Sequence, residues 1–251
     1  MLTKNTIKSR AMKRADHKRI NELDKNLNIL LKECPKVFKQ PKVKKIDYKL
    51  WIINEGMFYC ITPIVWLRED DLKSMMRIEF KYKPLWMDDL LWEILGMESY
   101  MKGPKSLRAN DCYTGLSMDG GERIIELSAE DIDYVRNVLH EEINGILAKL
   151  NDFNEKKYLT EFEKYVSSRS EYACDAILVA IHENFDEKQI VTMINSCDNY
   201  GRFCFFTDKS QGMITYKNIG VITYKHLIIK YLREKKNYSI SIDSNSVNQQ
   251  E

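Results

Sequence analysis

Met76, Ile78, Phe80 and Tyr82 alternate with Arg77, Glu79, Lys81 and Lys83, and a segment with that period of two has one face to bury and one to leave wet. Two earlier runs, Tyr48 to Ile53 and Met57 to Leu67, are also rich in β-branched and aromatic residues. Asn54-Glu55-Gly56 and Arg68-Glu69-Asp70-Asp71 interrupt the runs as turns do, so the spacing predicts a three-stranded antiparallel meander. Pro63 is expected on an edge of it or at a bulge, because proline donates nothing to a ladder. Segments Ser106 to Ser117 and Arg123 to Leu127, on either side of Asp119-Gly120-Gly121, are expected to add a second hairpin, for about five strands in all.

Helical periodicity brackets this sheet. Ile20, Leu23, Leu27, Leu30, Leu31 and Cys34 recur at three and four residues, with Pro35 as the expected stop. Pro84 and Gly96 bound a shorter helix carrying Met87, Leu90, Leu91, Ile94 and Leu95. Ser128 with Asp131 looks like a capping start for a helix with the stripe Ile132, Val135, Leu139, Ile143, Ile146 and Leu150. The Ile20 and Ile132 helices should cover one face of the sheet, since each element has one apolar side that needs a partner.

After a polar break at Asn151 to Lys157, helices are expected over Tyr158 to Val166, over Glu171 to Glu183 and from Asp186, where Gln189 is placed to complete a capping box. A hairpin of Arg202 to Thr207 with Met213 to Lys217 and a last helix from Thr223 through Arg233 complete the pattern. The expected fold class is therefore α+β, an antiparallel sheet of about five strands covered by helices, followed by a smaller, mainly helical domain with a β-hairpin. The corresponding boundaries are a basic flexible arm over 1–18, an α+β domain over 19–150, a helical domain with a hairpin over 158–236 and a disordered tail over 237–251.

Composition narrows the function classes. Lys plus Arg number 39 and Asp plus Glu 37, but residues 1–45 hold fourteen bases against four acids, which keeps phosphate-rich partners in view. The six cysteines are scattered with no CxxC, so free thiols in a reducing cytoplasm are expected. No apolar run reaches the length a membrane span needs. A P-loop is absent, and no HExxH or zinc-finger spacing occurs, although Cys174, Cys197, Cys204, His182 and His226 are present to converge in space. Neither a cofactor nor a resident metal is expected.

Glu79-Phe80-Lys81 on the third strand, with Asp70 or Asp71 upstream, resembles the PD-(D/E)xK nucleases over that short motif and a coarse order of helix then meander. The resemblance implies a divalent cation held by the Asp and Glu, with Lys81 beside the attacking water. Period-two alternation accounts for the same residues as a solvent-facing pair.

A binding role has a different basis. At 100° per residue, Trp86, Asp89 and Glu93 share one side of their helix and Asp88 and Trp92 the adjacent one, away from the Met87, Leu91 and Ile94 stripe. Tryptophan among carboxylates suits a hot spot for a basic partner. The expected function is a cytoplasmic, microbial, non-catalytic interaction protein that binds and regulates or neutralises a protein partner. The alternative is a nucleic-acid-binding protein or metal-dependent nuclease, using Lys13, Arg14, Lys18 and Arg19 within the basic stretch 1–45 together with Asp70, Asp71, Glu79 and Lys81.

Overall fold

The order of elements begins with a long helix and returns to helices after the sheet, in a computed structural model that describes residues 4–109, 114–166, 173–196, 203–204 and 222–238. Contacts divide the chain into two compact units. The first comprises Met1–Leu85, Lys105–Asp111 and Ser117–Thr160, the second Trp86–Pro104, Cys112–Leu116 and Glu161–Glu251. A five-stranded antiparallel sheet with helices makes the fold α+β, as the sequence predicts.

In the first unit, α1 (Lys4–Val37) leads into β1 (Lys44–Ile46), β2 (Lys49–Asn54), β3 (Met57–Leu67), β4 (Ser74–Pro84) and β5 (Met118–Glu126), joined in that spatial order. The helix starts well before Ile20, so residues 4–18, expected as a flexible arm, form its first turns; Lys, Arg, Met and Ala are all good helix formers. It also runs two residues past Pro35. Proline there removes only its own donor in the final turn, and Phe38 N–H still reaches the Cys34 carbonyl at 2.9 Å.

Turn chemistry sets the meander. Glu55 and Gly56 both have left-handed φ, +46° and +77°, as a two-residue hairpin between Asn54 and Met57 requires. The β2 ladder on β3 stops at Leu50 opposite Ile61, so Pro63 lies where β3 has a single neighbour and its expectation as an edge residue holds. The three-residue β1 escaped notice in the sequence because two of its residues are lysines, the charges with which proteins guard a sheet edge.

The expected second hairpin does not form. Lys105–Ala109 is a 3-10 turn, and Asp119-Gly120-Gly121 lies inside β5, opposite a bulge at Phe80/Lys81. Those glycines answer to a close approach rather than a chain reversal: a Cβ on Gly120 would meet the Phe80 ring at 2.2 Å, and Gly121 has φ +127°.

One face of the sheet presents Leu50, Ile52, Tyr59, Ile61, Met76, Ile78, Phe80 and Tyr82, all buried, as are Leu23, Leu27, Leu30, Leu31 and Cys34 of α1. Helix α1 packs on β3 and on α4 (Ile132–Leu147), whose Val135, Leu139 and Ile143 are buried in turn. Each such aliphatic side chain contributes about 1.5–3 kcal/mol by leaving water. The cap of α4 is Asp131, which accepts the Tyr134 N–H at 2.9 Å, in place of the expected Ser128. The Tyr59 hydroxyl donates to the carbonyl of Leu150 or of Phe153, at 3.3 and 3.1 Å, tying the turn after α4 to the sheet. On the opposite face, Trp51, Phe58 and Ala109 form a smaller buried cluster.

The second unit takes α2 (Leu85–Ile94) from Trp86 onward, α3 (Glu98–Lys102), the far end of α5 (Glu155–Val166), α6 (Ala173–His182), α7 (Glu187–Ser196) and α8 (Tyr224–Lys236). Asp186 and Gln189 form the expected reciprocal capping box at the start of α7, at 2.8 and 3.1 Å. Strand β6 (Phe203–Cys204) pairs with β7 (Ile222–Thr223), while the second strand of the expected hairpin, Met213 to Lys217, lies outside the described residues, as do 239–251. No helix among the described residues is long and apolar enough to cross a membrane.

Candidate functional site

Helix α2 owes its position to its ends. Leu85 N–H, at its start, bonds the Gly56 carbonyl at 2.8 Å. At the other end Gly96, with φ +66°, closes it in a Schellman arrangement, Met97 N–H returning to Trp92 O at 2.7 Å and Gly96 N–H to Glu93 O at 3.1 Å. Between these ends Met87, Asp88, Leu91, Trp92, Ile94 and Leu95 are buried, while Trp86, Asp89, Leu90 and Glu93 stay half-buried. At 100° per residue the second set occupies a continuous arc opposite the first.

The five residues expected to form a partner-binding group therefore separate. Asp88 is fully buried, its Oδ1 accepting the Gly115 N–H at 2.8 Å. Gly115 is required there, since a Cβ would stand 2.3 Å from Met87 Cγ. Trp92 is 1% exposed, with Tyr100 edge-on to it at 5.8 Å. Neither Asp88 nor Trp92 reaches the surface: the carboxylate accepts a backbone donor 27 residues along the chain, and the indole packs against Tyr100.

The remaining three share the wet arc. Trp86 lies flat on the His182 imidazole of α6, ring centroids 3.7 Å apart and planes 6° from parallel. The His182 side chain keeps 33% of its surface and Glu183 beside it 42%. Glu93 faces Tyr231 of α8, whose hydroxyl is raised above the usual phenol range by burial and then by that carboxylate, to which it hydrogen-bonds. The arrangement is an aromatic pair with Glu183 beside it and with Asp89 and Glu93 on the same arc of α2 as Trp86. His182, 96 positions from Trp86, carried no local sequence signal for this contact.

The acidic and basic residues of the nuclease-like motif are dispersed. Asp70 and Asp71 stand in the turn before β4; Asp71 is bound by Arg68 at 2.6 Å, and its carboxyl is held down at about 2, chiefly by that guanidinium. Glu79 is the sixth residue of β4, roughly 16 Å of strand beyond Ser74, and pairs with Arg77 at 3.1 Å. Lys81 is exposed. No group of three or more metal-ligating side chains gathers among the described residues. Cys197 and the side chains of Cys174, Cys204 and His226 lie outside them.

Of the basic candidates, Arg14 and Lys18 are exposed on α1, and the Lys13 side chain lies outside the described residues. Arg19 is committed within its own unit: it binds Glu130 at 2.5 Å and the Leu72 carbonyl at 3.3 Å, and Glu130 also accepts the Ser74 hydroxyl. The Glu130 carboxyl is thereby lowered, first by Arg19 and then by Ser74. Cys34, inside α1, has its thiol pushed up to about 12 by burial, a poor nucleophile.

Comparison of the chain with protein-family models, with curated proteins and with solved structures found no match.

Proposed function

We propose that the chain is a non-catalytic interaction protein that binds a basic protein partner through the outer arc of α2. The observation that carries this reading is the Trp86 indole stacked on His182, with Glu183 beside that imidazole and Asp89 and Glu93 on the same arc of α2. Ordering an aromatic side chain is part of the cost of association, and the stack makes that ordering before any partner arrives. Tryptophan supplies the large contact area typical of hot spots, and bordering carboxylates favour Lys- and Arg-rich surfaces. Regulation or neutralisation of that partner, in a cytoplasmic and microbial setting, belongs to the same proposal.

The test is affinity capture from the native cells with the tagged wild-type chain and with the double variant Trp86→Ala/Asp89→Asn. A basic protein retained by the wild type and lost from the variant, with both chains equally folded, is the expected result. Equal recovery from both would remove the assignment to α2. The nucleic-acid reading separates from this one by a salt-sensitive shift of DNA or RNA that Arg14→Ala/Lys18→Ala weakens.

A further inference from the structure

A second candidate site lies in the first unit, where β4 and β5 face α4 across a cavity of about 250 Å3. Its floor is aromatic: the rings of Phe80 and Phe153 meet edge to face at 4.9 Å, and Tyr82 holds Phe153 from another side at 5.1 Å. Ile78 and Ile146 add apolar wall.

Three glycines open it. Gly120 and Gly121 are fixed by the Phe80 contact and by the left-handed φ at the bulge. Gly145 has no such reason. It occupies the interior of α4, where glycine is the poorest helix former after proline, and a Cβ there would meet nothing within 4 Å. The chain thus gives up helix stability at an exposed position on the cavity's lining, where its own packing has no need for a missing side chain.

Two acids and two bases line the mouth, Glu122 among them at 4.0 Å from Arg77. Arg123 is tied to Glu142 at 3.2 Å, whereas no acidic side chain pairs with Lys149 among the described residues. An aromatic floor with an uncommitted ammonium at the rim suits a ring bearing one negative group. A dry cavity of about 150 Å3 already accepts a benzene ring, so this one has room for the ring and a substituent.

We infer that this cavity binds a small aromatic monocarboxylate, the ring against Phe80 and Phe153 and the carboxylate towards Lys149. This site is separate from the α2 surface and stands without it. Benzoate is the probe, titrated into the full chain while the methyl NMR signals of Ile78 and Ile146 are followed, with benzamide as the uncharged control. Saturable shifts of both methyls at millimolar benzoate are expected, with roughly tenfold weaker binding for Lys149→Gln and for benzamide. Gly145→Leu should fill the space and abolish the shifts while raising the melting temperature by about 2–4 °C through helix propensity. Absence of saturation in the wild type, or undiminished binding by Gly145→Leu, would overturn the site. Equal affinity for benzamide would overturn the anionic ligand class. The wild-type titration remains decisive should Gly145→Leu fail to fold.

Discussion

Trp86 and Trp92 stand on the same helix, yet one meets water and the other does not. Trp92 is 1% exposed although it stands beside the Met87, Leu91 and Ile94 stripe rather than on it, so its indole is a packing element. Trp86 is half-buried, with one ring face spent on His182. The carboxylates divide the same way, Asp88 inward on the Gly115 N–H and Asp89 and Glu93 on the outer arc. The contrast teaches that residue type did not decide which members of this acidic, Trp-containing helix reach water. Angular position on the helix and one distant glycine did.

Substitutions on the two arcs should differ in kind, and the largest effect belongs to the inner one. Trp92→Ala should cost about 3–5 kcal/mol, the usual loss when a buried large aromatic is truncated, read as a reduced denaturant midpoint. A loss under about 1 kcal/mol would mean that Trp92 is not part of a packed core. Next comes Asp88→Ala, which leaves the Gly115 N–H without its acceptor in a buried place, at a cost of about 1–3 kcal/mol. Amide exchange at Gly115 should accelerate in step with that loss.

On the outer arc, Trp86→Ala forfeits a ring stack worth about 0.5–1.5 kcal/mol together with the half of the indole that is buried, and stability should fall by less than in Trp92→Ala. If it fell as far as in Trp92→Ala, the two arcs would not be distinct. The smallest effect concerns Tyr231. Its folded pKa is raised, so the unfolded chain loses this proton first as pH climbs past the ordinary phenol value of about 10, and stability contributed below that pH is lost as pH rises towards the folded value. Glu93→Gln removes one of the two causes, and Tyr231 should then titrate lower in an NMR pH series, with a shallower alkaline loss of stability. An unchanged titration would show that burial alone sets it.

Much of the sheet was legible because its signals are local. Alternation along β4 and the Glu55-Gly56 turn need only neighbouring residues to be read. Gly120 and Gly121 misled because a glycine demanded by an aromatic ring on the next strand looks in sequence like one demanded by a turn. Asp88 looked like a surface charge near a helix start, and nothing nearby betrays that Gly115 would take it inward. Both errors share one physical origin, a partner distant in sequence. The Trp86 stack on His182 is a third contact of that kind, and the outer arc was legible only as far as helical angle carries.

The central claim is tested most directly by Trp86→Ala, with the melting temperature and the affinity for the captured basic partner measured on one preparation. At about 2–4 °C per kcal/mol for a chain of this size, the account predicts a drop of only a few degrees with an affinity at least tenfold weaker. A melting temperature lowered by roughly 10 °C or more, with the partner bound as tightly as by the wild type, would contradict it.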